Sequence, residues 1–82
     1  MTKQESTKCV KVLEDAIKAV KQAKCEYAES ERFYKEGDKI KADIEQRKAD
    51  NHMGYAEGIN QVLATLDFKH VEMIELQKLL LY

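Results

Sequence analysis

The stretch His52–Leu66, HMGYAEGINQVLATL, carries the clearest helical pattern in the chain. Side chains three or four residues apart lie on one face of an α-helix, so apolar residues at this spacing predict an amphipathic helix. The residues that follow the spacing are Gly54, Tyr55, Gly58, Ile59, Val62, Leu63 and Leu66. We therefore expect this segment to be a helix with one packing face.

Two glycines in this stretch indicate how the face packs. Glycine inside a helix costs about 1 kcal/mol relative to alanine, and close approach of a second backbone is the usual compensation. We expect Gly54 and Gly58 to provide such an approach. The alternative is that Gly54 marks a break in the helix, with Asp50, Asn51 and His52 forming a loop.

The composition favours an all-α fold. The chain has 82 residues, of which 44% are hydrophobic and 35% charged, with three glycines and no proline, a balance that suits long helices better than a sheet with many turns. We expect a single domain spanning 1–82. Because so short a chain buries only about 60% of the surface that its unfolded form exposes, self-association would add to its stability.

Two long helices are predicted on either side of Gly37. Apolar residues recur at helical spacing through the first part of the chain, which predicts helix 1 over about 7–36, capped by Ser6 or Thr7. Gly37 is placed to end this helix and Asp38 to cap the next one, which we expect at about 38–66. The fold predicted is a long antiparallel helical hairpin.

An antiparallel hairpin centred on Gly37 sets residues whose numbers add to about 74 at the same height. This register places Gly58 opposite Ala16 and Gly54 opposite Val20. We expect these four residues to be the helix-packing positions, where the two backbones come closest.

The same register predicts a polar layer halfway along the hairpin. It sets Lys24 near Asp50, and Glu26 near Lys48 and Arg47, so opposite charges would meet across the two helices. The face of helix 2 turned to helix 1 is then expected to contain Ile40, Ile44, Tyr55, Ile59, Val62 and Leu66.

A third, shorter helix is predicted at about 68–81, with Asp67 as its N-cap. Its apolar residues occupy two opposed faces, and a single hairpin covers only one of them. One face contains Val71, Ile74 and Leu81, and the other Met73, Leu76 and Leu80. We expect these residues to form a dimer interface that joins two hairpins in a helical bundle. The alternative is a monomer with the third helix wedged into the hairpin.

Histidine and cysteine, residue types that often take part in catalysis or metal binding, are scattered along the chain. His52, His70, Cys9 and Cys25 follow none of the spacings typical of zinc sites, and no glycine-rich loop for phosphate is present. The cysteines lie too far apart on one predicted helix for a disulfide within the chain. We expect no enzymatic activity, no metal and no cofactor.

The charge pattern bears on partners and location. The chain has 14 basic and 15 acidic residues, with the signs interleaved, so nucleic-acid binding is not favoured. The lysines of helix 1 alternate with acidic residues and indicate a solvated face. No apolar run is long enough to cross a membrane, and residues 1–7 lack a signal-peptide core, so a cytoplasmic protein is expected.

The run Gly54-Tyr55-Ala56-Glu57-Gly58-Ile59, followed by Val62, Leu63 and Leu66, resembles a pattern in short helical proteins encoded by phages and prophages. The resemblance covers only residues 54–66 and consists mostly of helix-packing positions. It implies an accessory protein that binds and inhibits a host or defence enzyme. No functional residue is assigned by it.

Together these patterns predict a non-enzymatic protein–protein interaction module that self-associates and acts by covering a surface of another protein. A metal-dependent enzyme would require stoichiometric metal. The main alternative is a small dimeric regulator that binds nucleic acid, which a steep loss of affinity with salt would reveal.

Overall fold

A computed structural model describes residues 2–81, which form three α-helices and no strand. Helix α1 spans Lys3–Lys35, α2 spans Lys39–Thr65 and α3 spans Val71–Leu81. The two long helices pack against each other as a hairpin, and α3 packs on both of them. The predicted all-α fold, a long hairpin with a short C-terminal helix, is confirmed.

Helix α1 begins earlier than expected because Thr2 caps it. The Thr2 hydroxyl oxygen accepts the backbone N–H of Glu5 at 3.1 Å, which satisfies one of the free donors of the first turn. Thr7 lies inside the helix, where its hydroxyl donates to the carbonyl of Lys3 at 2.9 Å. The predicted start at Ser6 or Thr7 is therefore wrong.

The turn of the hairpin is built as predicted. Gly37 has a φ of +84°, a left-handed conformation that a side chain would strain, and its N–H donates to the carbonyl of Tyr34 at 3.1 Å. The N–H of Asp38 donates to the carbonyl of Phe33 at 2.9 Å, which completes a Schellman closure of α1. The Asp38 carboxylate then accepts the N–H of Lys41 at 3.1 Å and caps α2.

Helix α2 runs unbroken through Gly54, so the alternative of a loop at Asp50–His52 is wrong. Its end repeats the Schellman closure, with Asp67 in the left-handed position at a φ of +54°. The N–H of Asp67 donates to the carbonyl of Ala64, and that of Phe68 to the carbonyl of Leu63, both at 3.0 Å.

Asp67 therefore closes α2 and does not cap α3, which corrects the predicted boundary. The cap of α3 is His70, three residues later in the chain. Its ring Nδ1 accepts the N–H of Glu72 at 3.1 Å, and its carbonyl accepts the N–H of Met73 at 3.0 Å. A ring nitrogen that accepts is unprotonated, so this contact requires the neutral imidazole with its proton on Nε2.

The seam between α1 and α2 is made of small residues at heptad spacing. The Ser30 hydroxyl donates to the carbonyl of Ala42 at 2.7 Å, which joins the two helices near the turn. The residues of α2 that are buried are Ala42, Ala49, Ala56 and Leu63.

The expected close approach at the glycines is not found. Ala16 and Val20 are fully buried, as predicted, but Gly54 and Gly58 are exposed, and a Cβ built on either would meet no atom within 4 Å. Ala56, two residues before Gly58, is the residue of this stretch that is buried in the core with Ala16. The buried residues of α2 are its alanines and Leu63, and the glycines are turned away from α1.

The hydrophobic core lies at the end of the hairpin away from the turn, where α3 covers the two long helices. It consists of Leu13, Ala16, Ile17, Val20, Ala56, Leu63, Met73 and Leu76. The molecule as a whole is a rod of 52 × 18 × 16 Å.

Candidate protein-binding surfaces

Helix α3 divides its apolar residues between a buried and an exposed face. Met73 and Leu76 are buried in the core, and Leu80 is half-buried against it. On the other side, Val71, Ile74 and Leu81 are 74%, 56% and 80% exposed. Of the two predicted faces, the one containing Met73 and Leu76 packs on the hairpin, and the one containing Ile74 has no cover within the described residues.

Two shallow grooves flank this exposed face. The larger, of about 590 Å³, lies between α3 and the end of α2 and includes Ala64 and Phe68. The smaller, of about 380 Å³, lies toward α1 and includes Lys24 and Leu79. Val71 and Ile74 line both grooves and form the ridge between them. A partner helix can pack against such a ridge and place its side chains in the grooves on either side.

Helix α2 presents a second exposed apolar surface, which we call the outer stripe. Its large side chains are those that the sequence pattern assigned to the hairpin interior. They are Ile40 at 77% exposure, Ile44 and Tyr55 at 47%, and Val62 and Leu66 at 56%. The predicted packing face of α2 is therefore rotated: of its six residues, only Ile59 contacts the core.

A polar layer does cross the hairpin midway, but its partners differ from those predicted. His52 Nδ1 lies 2.5 Å from a carboxylate oxygen of Glu26, whose side chain is buried. The Tyr27 hydroxyl donates to Asp50 at 2.5 Å. Lys48 pairs with Glu45 on its own helix, and no described contact joins Lys24 to Asp50.

The contact with Asp50 changes the acidity of Tyr27. The hydrogen bond to the carboxylate raises the pKa of Tyr27 from 10.0 to about 12, and burial and the negative charges of Asp50 and Glu57 act in the same direction. Each of these favours the neutral phenol. Neither groove beside α3 includes these polar side chains, and we interpret the layer as fixing the register of the hairpin.

The lysine row of α1 is a mixed surface. Lys8, Lys11 and Lys18 are exposed, and Glu14 and Asp15 are exposed among them. Lys21 pairs with Glu75 of α3 at 3.7 Å.

Among residues 2–81, no three His, Cys, Asp or Glu side chains converge to hold a metal ion. Cys9 is half-buried and Cys25 exposed, and both are free thiols. No helix in the described part of the chain is long and apolar enough to cross a membrane.

Comparison of the chain with protein-family models, with curated proteins and with solved structures returned no match in any of the three. The resemblance of residues 54–66 to phage-encoded helical proteins stays a prediction.

Sequence reasoning missed the outer stripe, although a signal for it was present. Ala42, Ala49, Ala56 and Leu63 recur every seven residues in α2, as do Ala16, Ala23 and Ser30 in α1. Matching small residues at heptad spacing on two helices is typical of a close antiparallel seam. Had that repeat defined the interior, the larger apolar residues of α2 would have been assigned to the outside.

Proposed function

We propose that this chain is a non-enzymatic protein–protein interaction module whose binding face on α3 is formed by Val71, Ile74 and Leu81. The module acts by surface occlusion: it covers an apolar site on another protein and so prevents that site from being used. Its partner is a folded protein with an apolar groove or helix face.

A single observation carries this proposal. The apolar residues of α3 are shared between a face that anchors the helix, through Met73 and Leu76, and a face that points outward. Apolar side chains exposed in a continuous group mark interaction sites more often than singly exposed ones do. The anchored half holds α3 in place before binding, so little conformational entropy is lost when a partner docks.

The resemblance of residues 54–66 supports a more specific role. We propose that the partner is a host or defence enzyme and that the chain is a phage-encoded inhibitor of it. Covering an enzyme surface requires no catalytic residue of its own, which agrees with the scattered titratable side chains of this chain.

The test is affinity capture from the host with three versions of the chain: wild type, Ile74→Glu and Gln22→Glu. The first substitution puts a charge on the ridge, and the second adds the same charge at an exposed position of α1 that lines neither groove. A partner that binds wild type and Gln22→Glu but not Ile74→Glu is then identified and its binding reconstituted from purified components.

Circular dichroism of the Ile74→Glu chain checks that its helices are intact. If the three versions capture the same proteins in the same amounts, the exposed face of α3 is not a binding site and the proposed function is wrong.

A further inference from the structure

The outer stripe of α2 is an apolar surface separate from the one on α3. At about 100° per residue, its large side chains fall within an arc of about 80° on the helix, with Gly58 inside the arc. Ala64, which lines the groove beside Ile74, lies well outside the arc. The stripe therefore needs a partner of its own.

The total surface area of the chain leaves room for such a contact. The accessible surface is 5995 Å², whereas a compact monomer of 9.5 kDa exposes about 5,000 Å². The excess, about 1,000 Å², is close to the roughly 800 Å² that each partner contributes to a stable protein–protein interface. The accessible surface of the elongated rod thus exceeds that of a compact chain of the same mass by about the area that one protein contributes to a standard interface.

The order of residues along the stripe indicates what the partner is. Pairs of stripe residues whose numbers add to 106 match in character: Ile40 with Leu66, and Ile44 with Val62. A two-fold axis perpendicular to α2 near residue 53 would set each of these residues opposite its match in a second copy. Such an isologous interface requires a surface that is complementary to itself. The two matched pairs of the outer stripe meet this requirement.

The middle of the stripe fits the same operation. It would set Asn51 opposite Tyr55, twice, and the amide and the phenol hydroxyl of each pair are groups that can hydrogen-bond to each other. It sets Lys48 opposite Gly58, where the absence of a side chain leaves space for the lysine stem.

A parallel arrangement fits less well. It would set Arg47 against Arg47 and Lys48 against Lys48 of the other copy, and like charges facing each other across an interface disfavour it.

We propose that two copies of this chain associate through the outer stripe, with their α2 helices antiparallel about a two-fold axis near residue 53. This inference rests on the proposed interaction function and deepens it: α2 joins the two copies, and the exposed faces of α3 stay free for the second protein. The dimer carries two such faces.

The first test is sedimentation equilibrium at about 10–50 μM, a range suited to a micromolar dimer. Wild type should sediment as a dimer. Val62→Glu should weaken association by roughly 100-fold, because each copy would bury an unpaired charge, while its helical circular dichroism is unchanged. Gln46→Glu, which adds the same charge at an exposed position of α2 outside the stripe, should remain dimeric.

The second test fixes the direction of the helices by disulfide formation. In a chain whose native cysteines are replaced by serine, Ile44→Cys with Val62→Cys should form a covalent dimer under mild oxidation. Ile44→Cys alone should not, because the two copies of residue 44 would lie about 27 Å apart at 1.5 Å per residue. Cross-linking of the single variant overturns the antiparallel arrangement.

Two outcomes separate this inference from the proposed function. A dimer that survives Val62→Glu but is lost with Ile74→Glu overturns the α2 interface and leaves α3 as the binding face. A wild-type monomer overturns the inference, whereas the function is decided independently by whether Ile74→Glu abolishes capture of a partner.

Discussion

The two faces of α2 use opposite kinds of residue. The face toward α1 is built from Ala42, Ala49 and Ala56, and the outer face carries larger apolar side chains such as Tyr55 and Val62. Large apolar residues usually define the interior because they gain most from burial. Here, three alanines form most of the face of α2 that is turned to α1, so side-chain size alone does not identify which face of α2 is buried.

The largest expected effect comes from enlarging one side chain on each face. Ala56→Leu should destabilise the fold by about 1–3 kcal/mol, because the position is fully buried in the core and the added atoms overpack it. Gly58→Leu, two residues away, should not destabilise it, since no atom lies within 4 Å of a Cβ there and leucine favours the helix. Chemical denaturation at a concentration where the chain is monomeric measures both.

The two substitutions test the rotation of α2 directly. Equal losses of unfolding free energy for Ala56→Leu and Gly58→Leu, or a larger loss for Gly58→Leu, would mean that the glycine face is the buried one.

The inner face also contains the pair of Glu26 and His52, and breaking it should have the next largest effect. His52→Ala should cost about 1–3 kcal/mol, because it leaves the buried Glu26 carboxylate without its partner. Adding Glu26→Ala to this variant should recover part of the loss, since the unpaired charge is then removed as well. A double-mutant cycle of urea melts gives the coupling, and strictly additive losses would contradict it.

Tyr27 lies at the edge of the seam, where a smaller effect is expected. Tyr27→Phe should destabilise the fold by about 0.5–1 kcal/mol through loss of the bond to Asp50. Tyr34→Phe is the matched control, because Tyr34 is 64% exposed, and it should be neutral. Denaturant melts of the two variants at neutral pH compare them.

The same bond gives a dependence on pH. Because folding raises the pKa of Tyr27 from 10.0 to about 12, its contribution to stability is complete below about pH 10 and is lost as the pH rises toward 12. Absorbance titration near the phenolate band should show an ionisation step near pH 12, and this step should be missing in Tyr27→Phe.

The smallest change in stability is expected from a substitution at the C-terminal end of α2. Asp67 has a φ of +54°, a conformation that glycine adopts without strain, as Gly37 does at the end of α1. Asp67→Gly should therefore stabilise the fold by about 0.5–1 kcal/mol, measured by urea denaturation. Asp67→Ala keeps a Cβ and should bring no gain; equal effects of the two would contradict the explanation.

Features set by local chemistry could be predicted from the sequence. Gly37 and Asp38 were located because a left-handed stop and a side-chain cap depend only on the residue types at the turn. The start of α3 could not be predicted, because Asp67 is a good cap by type and its left-handed conformation follows from how α2 ends.

The two apolar faces of α3 were also predicted, since its residues alternate around the helix. Which of the two faces is buried was not predicted, because burial of Met73 in place of Ile74 depends on the direction in which α3 leaves α2. The rotation of α2 was mispredicted for a different reason: a periodicity weighted by hydrophobicity gives alanine little weight, although three alanines at heptad spacing decide the seam.

The position of the core has a consequence for how the hairpin opens. The large apolar side chains that are buried, including Leu13, Leu63 and Leu76, lie at the end covered by α3, and the end near Gly37 is joined by small residues and by the bond from Ser30. Amide protons near the turn should therefore exchange with solvent through local opening, at a free energy below that of global unfolding. Amides around Leu13 and Leu63 should exchange only when the whole chain unfolds. The two long helices are therefore expected to come apart first near the turn and last at the core.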